Sequence, residues 1–490
     1  MMAKQYDAIV IGGGPGGLTC AALLAKWGLK ALLLDKNETT GGKAVTVSRN
    51  GFKYELGPKL QVPMRGPAFA TAFELLGIAS ELKPIYLENA GMAYRRSNWD
   101  KYQKAVTSQK ASSTDPNELF DVFKLDAQER ERALAALTDI AMMPADKLHD
   151  LDDLTFDEYV RQLDVPGGLY SYLAMHSNAS LAEPIDLVSA SEQVKILQHI
   201  AFSGGGGYYK GGFGRVLETL DKAIRANGGE VRTETRVERI DVKAGQVTGV
   251  TTDGGEFKAP IVVSDAGIQP TVLKLVGEKY FDRSYVNYVK DLVPGWAFTG
   301  VKYFLNKKVM KWPMYMMWSD ESWWNLERFL KVKKGRIPEE VILFMTVPSN
   351  FDPTMAPRGK QCIIAGTICS PNPEAKEIAM LWDKMDAMIS MVFPEMMEAL
   401  EYKEVEGPAE ISAATRDHVL PGQGGECVGL AQIVGQCGKY KPSPRAPIRG
   451  LFYVGCDAGG SGMGTHQASE SGINVARMVL QYHRKRQAAN

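Results

Sequence analysis

The chain is short of the features that mark many protein classes. No stretch of about 18 uninterrupted apolar residues occurs, so no segment reads as a helix that spans a bilayer. There is no excess of charge: 57 basic residues balance 57 acidic ones, and nothing in the total draws the chain to nucleic acid or anionic lipid. The one local basic run, His483-Arg484-Lys485-Arg486, reads as a solvated helix end, with a lipid-headgroup contact as the alternative. The six cysteines, at positions 20, 362, 369, 427, 437 and 456, form no CxxC spacing. A disulfide framework and a cysteine zinc site are therefore not expected, and the thiols suit a reducing compartment. HExxH, GxSxG and Cys/His clusters are missing too, so neither a metal centre nor acyl-transfer chemistry is expected. No charged leader or cleavage site precedes the first apolar run, which points to a cytoplasmic chain.

What the chain has in quantity is glycine, and its placement is informative. Residues 6–11, YDAIVI, read as a buried parallel strand. Gly12-x-Gly14-x-x-Gly17 follows at once, with Pro15 and Gly16 inside it. An Ala/Leu-rich helix then runs to about Trp27 and stops at Gly28. A second strand, KALLLDK, ends in Asp35 and Lys36. This is a complete β-turn-α-β unit with an acid at its far end. Gly12 makes the tight turn, Gly14 lets backbone N–H groups approach a pyrophosphate, and Gly17 lets the helix pack on the strand. The positive end of the helix then faces the diphosphate. Asp35 suits two ribose hydroxyls and would repel the 2′-phosphate of NADP.

The next residues narrow the choice of dinucleotide. Gly41-Gly42-Lys43 is followed by Gly51-Phe52-x-Tyr54-x-x-Gly57-Pro58 and then Lys59 and Leu60. Far along the chain stand NGGEVRTETRVERI (227–240), IVVSDA (261–266) and LFYVGCDAGGSGMGTHQ (451–467). Together these blocks resemble the flavoprotein superfamily that holds phytoene desaturases, retinol saturases, monoamine and polyamine oxidases and protoporphyrinogen oxidase. The stretch PSNFDPTMAPRGKQ (348–361) is closer to the phytoene desaturase and retinol saturase branch. The resemblance implies FAD as cofactor and an α/β fold: a Rossmann-type, glutathione reductase-like FAD-binding domain joined to a mixed α+β substrate domain with a helical cap. At 490 residues two or three domains are expected in any case. The three blocks place the FAD domain at 1–75, 200–275 and 445–490, and the substrate domain at 76–199 and 276–444.

The resemblance also implies site residues. Val237 would read the adenine through its backbone, and Asp457 would meet the ribityl and pyrophosphate region. Gly464, Thr465 and Gln467 open the last helix, whose N-terminal dipole suits the pyrimidine edge of a flavin. His466 departs from the small residues usual there. It either moves a proton, or hydrogen-bonds the cofactor or a neighbouring backbone group. Lys302, in TGVKYFLNKKVMKW, either matches the amine-oxidase lysine that reaches flavin N5 through a water or lies on a strand edge. The stretch VMKWPMYMMWSDESWWN (309–325) reads as a pocket for a greasy substrate, a membrane-dipping surface or ordinary core.

The implied function is FAD-dependent desaturation of a C–C bond in a largely apolar small molecule, by hydride transfer to N5. Oxygen, a quinone or another acceptor would reoxidise the flavin. The alternatives are a flavin amine oxidase, or a redox-neutral isomerase or double-bond saturase on the same scaffold. A prenyl-binding escort of the Rab GDP-dissociation inhibitor kind has lost FAD, and the intact glycine blocks argue against it. Peripheral membrane contact and an oligomer stay open.

Overall fold

A computed structural model describes residues 5–57, 59–62, 64, 66–97, 99–108, 115–370, 372–415 and 429–489. Pro58 lies outside the described residues.

The opening apolar run forms the strand Ala8–Ile11, the centre of a five-stranded sheet. The order is Leu451–Tyr453, Val262–Ser264, Ala8–Ile11, Ala31–Leu34, Glu230–Arg232, and every pair is parallel. Ala8–Ile11 and Ala31–Leu34 are apolar on both faces because both faces are covered. Ala8, Val10, Ala31 and Leu33 pack on the helices Pro15–Lys26, Phe213–Ala226 and Gly464–Ala489. Ile9, Ile11, Leu32 and Leu34 pack on a three-stranded antiparallel sheet, Val237–Lys243, Gln246–Thr252 and Gly255–Lys258. The period of two thus divides one strand between two cores. Close approach of the first and last helices requires glycine: a Cβ at Gly16 would stand 3.1 Å from the Ala468 carbonyl oxygen, and one at Gly472 would stand 2.7 Å from the Gly16 carbonyl oxygen.

A second sheet has seven strands, in the order Leu400–Glu406, Ala297–Leu305, Gln361–Cys369, Leu343–Thr346, Met314–Ser319, Asn89–Arg95, Gln103–Ser108. It is antiparallel except where Met314–Ser319 joins Asn89–Arg95. Helices from residues 116 to 203 cover it and share its core. The charged segment 115–165 carries three of these helices, Pro116–Phe123, Ala127–Met142 and Phe156–Gln162, and the last two begin at capping boxes, Asp126/Glu129 and Thr155/Glu158. The hairpin Thr46–Arg49/Phe52–Glu55 joins the two halves. Its Phe52 and Tyr54 pack against Phe304, Cys362 and Ile364 of the large sheet. Among the described residues, no helix is long and apolar enough to cross a membrane, and Cys20, Cys362, Cys437 and Cys456 are free thiols.

Candidate flavin and substrate site

A continuous cavity of about 780 Å³ is bounded by residues from both halves. At one end is the glycine loop. Gly12, at φ +94°, makes the turn, and its N–H donates to the Leu34 carbonyl at 2.8 Å. The Gly13 N–H donates to Asp35 Oδ2 and the Asn37 N–H to Asp35 Oδ1, both at 2.7 Å. Asp35 therefore lines the cavity and also staples the loop to the end of its strand. The Gly17 N–H donates to Asp265 Oδ2 at 3.0 Å, and a Cβ at Gly14 would come within 2.7 Å of the same oxygen. No side chain of the N-cap residue, Gly14, caps the helix Pro15–Lys26, which leaves its amino end open to an anion.

Most of the expected cofactor residues meet here. Gly12, Gly14, Pro15, Asp35, Lys36, Gly42, Lys43, Gly57, Lys59, Leu60, Val237, Asp457, Gly464 and Thr465 all line the cavity. Gly16 and Gly17 serve packing and the loop instead, as their contacts with Gly455 and Gly12 show. Gln467 does not line the cavity; its Nε2 donates to the Cys456 carbonyl at 3.0 Å and holds the turn before the last helix. Asp457 lines the cavity but also braces two backbones, accepting from the Ile268 N–H at 2.8 Å and the Leu430 N–H at 3.1 Å. Thr465 Oγ1 donates to Gln61 Oε1 at 2.8 Å.

The two candidates for chemistry are placed elsewhere. His466 is buried and is not among the cavity-lining residues. Its Nδ1 accepts the Ala68 N–H at 3.2 Å, so the ring satisfies a first-turn donor of the helix Ala68–Leu76. Burial holds its pKa below the ordinary value, the neighbouring His199 ring adds to this, and Glu470 opposes it. Lys302 is buried in the middle of the strand Ala297–Leu305 and is ion-paired with Glu406, whose other oxygen pairs with Lys59 at 2.5 Å. The Lys302 ammonium also stands 5.4 Å from the centroid of the Tyr54 ring. Of the three, only Lys59 reaches the cavity.

Several groups escaped the sequence reading. Asp265 was legible only as the end of a strand in IVVSDA. Glu55, the acid of GFKYELGP, accepts from Tyr208 Oη at 2.5 Å, the Phe213 N–H at 3.2 Å and Thr46 Oγ1 at 3.1 Å. Burial pushes its carboxyl up to about 7 against the pull of these donors. Tyr172 and His176 line the cavity from the helix Gly167–Leu181, a sequence of small and apolar residues in which no face announces itself. The methionine-rich stretch divides: Met314 and Met316 line the cavity, while Met317, Trp318 and Trp324 are core.

The charged lining residues are Asp35, Lys36, Lys43, Lys59, Arg236, Glu238, Asp265, Lys274 and Asp457, all from the segments that build the parallel sheet and its flanking layers. The walls supplied by the seven-stranded sheet are Ala90, Met92, Phe298, Met314, Met316 and Phe344, with the hydroxyls of Thr107 and Thr346.

Fold and cavity together define a dinucleotide-binding protein. Residues 15–286 match the family described as flavin containing amine oxidoreductase. That is more than half of the chain, and the protein belongs to this family. A phytoene desaturase of Cercospora nicotianae is 25% identical over 452 residues, which cover 84% of this chain and 70% of that one. The neurosporene-forming phytoene desaturase of Rhodobacter capsulatus is 26% identical over 512 residues, covering 96% and 93%. A putrescine oxidase with redesigned cofactor binding shares the fold with a TM-score of 0.70 at 14% identity, over 98% and 99% of the two chains. The protein is an FAD-dependent oxidoreductase. Its residues fit that cofactor. Side chains are excluded from the loop at Gly12 and Gly14, and one cavity connects Asp35 and Val237 with Gly464 and Thr465.

Proposed function

We propose that the protein desaturates a C–C bond of a largely apolar small molecule. FAD, when bound, supplies the hydride acceptor for such a reaction. The cofactor residues would be Gly12, Gly14, Pro15, Asp35, Lys36, Gly42, Lys43, Gly57, Lys59, Leu60, Val237, Asp457, Gly464 and Thr465, with Gly16, Gly17 and Gln467 shaping the loops that present them. Lys43 and Lys59 place positive charge along the cofactor, and the amino end of the last helix adds its dipole. The large sheet supplies the substrate wall and excludes water from it.

The observation that carries this reading is the separation of charge in the cavity. Among the described residues, the wall given by the seven-stranded sheet holds no carboxylate and no ammonium. An amine substrate is a cation at neutral pH and would find no counter-ion there, and Lys302 is occupied with Glu406 rather than facing the cavity. Both points favour a neutral, apolar substrate over an amine. The similarity to phytoene desaturases over most of the chain supports the same chemistry. We place the division between cofactor and substrate domains at 1–75, 200–275 and 445–490 against 76–199 and 276–444, because the five-, three- and seven-stranded sheets each draw their strands from one of these sets, while the short pair Pro84–Tyr86 and Gly207–Tyr209 bridges the two.

The test is anaerobic reduction of the bound flavin. The FAD-loaded protein is mixed with carotenoid-like polyenes, alicyclic ketones and amines, and loss of the visible flavin absorption is followed. Bleaching by an apolar substrate with formation of a new double bond is expected. Bleaching by amines alone would overturn the reading. Readmission of oxygen, or of a quinone, then identifies the acceptor.

A further inference from the structure

We infer that the apolar substrate carries an uncharged oxygen function, a carbonyl or a hydroxyl, that is held by Tyr172 and His176. The inference deepens the proposed function and rests on it. The two residues stand one turn apart on the helix Gly167–Leu181 and so share a face. Both line the cavity, and their rings meet at 4.5 Å, inclined by 68°. Ser180, a further turn along, lines it as well. The Tyr172 ring packs 5.8 Å from Trp318 of the large sheet, which puts the pair on the substrate wall and away from the glycine loop.

Their polar atoms are the unusual feature. Among the described residues, the Tyr172 hydroxyl and the His176 ring nitrogens make no hydrogen bond, and no charged group acts on either. Both side chains are part-buried and open to the cavity, so only water or a ligand can satisfy them there, and a polar group in an apolar wall that loses such a partner is costly. A wall made only to hold a hydrocarbon would gain from Phe and Leu at these positions. Burial raises the tyrosine above its ordinary value and lowers His176 to about 4, so both are neutral at physiological pH. Together they offer the O–H and one ring N–H as donors and one ring nitrogen as acceptor. That set matches a carbonyl or hydroxyl oxygen. A carboxylate would find no positive partner there, and an ammonium no negative one.

The test uses full-length FAD-loaded protein and four probes of one chain length: nonan-2-one, nonan-2-ol, nonane and nonanoate. Binding is read by calorimetry and by the shift of the visible flavin spectrum. The ketone and alcohol are expected to bind about 10-fold more tightly than nonane, the equivalent of one to two ordinary hydrogen bonds. Tyr172→Phe and His176→Leu should each remove a factor of about 3 to 5 of that preference while leaving nonane binding and FAD content unchanged. Equal binding of nonane and the ketone, unchanged preference in both variants, tightest binding of nonanoate, or no binding of any probe to the FAD-loaded protein would each overturn the inference and leave the flavin chemistry standing. A protein that bound no FAD would instead remove the proposed function, and this inference with it.

Discussion

The pair of lysines around Glu406 makes a prediction that separates structure from chemistry. Glu406 and Lys302 are only 5% and 4% exposed, and the Lys59 side chain about 10%. One carboxylate thus compensates two cations beside the cavity. Glu406→Gln takes the shared carboxylate away from both ammonium groups in a low-dielectric site, and breaking a buried pair in this way costs about 3–5 kcal/mol. Lys302→Met is milder. Glu406 keeps Lys59, and the lost charge-assisted bond, about 1.5–3 kcal/mol, is partly offset because methionine needs no hydration. In the double variant Lys302→Met/Glu406→Gln one cation remains instead of two, so its cost should fall short of the summed single costs by about 1–3 kcal/mol. Urea unfolding of the flavin-free proteins gives the three differences, and FAD content and anaerobic flavin reduction are measured alongside. Costs that add within about 0.5 kcal/mol would refute the network. Lys302→Met with normal stability and FAD content but no flavin reduction would return Lys302 to the chemistry.

Gly17→Ala should abolish FAD retention and destabilise the fold by about 3 kcal/mol or more, because the new methyl would overlap the Gly12 carbonyl oxygen on a backbone already tied to Leu34 and Asp265; absorbance after gel filtration and urea unfolding read both. His466→Phe should cost about 1 kcal/mol through the lost acceptor for the Ala68 N–H, and a shifted pH profile of flavin reduction would instead show proton transfer. Glu183 has one oxygen on the Gln432 N–H and the other without a partner, beside Glu192, and burial raises its carboxyl to about 8. Between pH 4.5 and 8 the folded protein therefore binds a proton that the unfolded chain has lost, so stability falls as pH rises through that window, by up to about 5 kcal/mol. Glu183→Gln should flatten this part of the stability curve and unfold at higher urea than wild type at pH 8.5, with the gap closing towards pH 4.5.

The cofactor half was legible because its chemistry is written in contiguous residues. A parallel strand buried on both faces leaves an unbroken apolar run, and a backbone that must approach a phosphate leaves glycines at fixed spacing. Gly12, Gly14, Asp35 and Lys43 could be read for that reason, and they line one cavity. Asp265 could not, because its meaning lies in reaching a loop 248 residues away in the chain. His466 was open to two readings, and the structure shows the hydrogen bond to a neighbouring backbone group: rotation about the last helix turns the ring to Ala68 and His199 rather than to the cavity. Lys302 likewise faces Glu406 and not the cavity, since the alternation of a strand tells which residues share a face but not which face meets the cofactor.

The substrate half resisted reading for a different reason, and that reason bears on its function. Recognition of a charged ligand leaves arginines or carboxylates that stand out in any sequence, whereas recognition of a neutral, apolar one uses the same Met, Phe and Ala that fill cores. The wall of Met92, Met314, Met316, Phe298 and Phe344 is therefore indistinguishable in sequence from the packing behind it. Only the three-dimensional arrangement shows that Met316 faces a cavity while Met317, its neighbour, is sealed in the core. Against such a wall the informative residues are those that break it. Tyr172 and His176 do so on one face of one helix, with neutral polar atoms and no partner among the described residues, and the specificity of the enzyme should rest more on them than on the apolar surface around them.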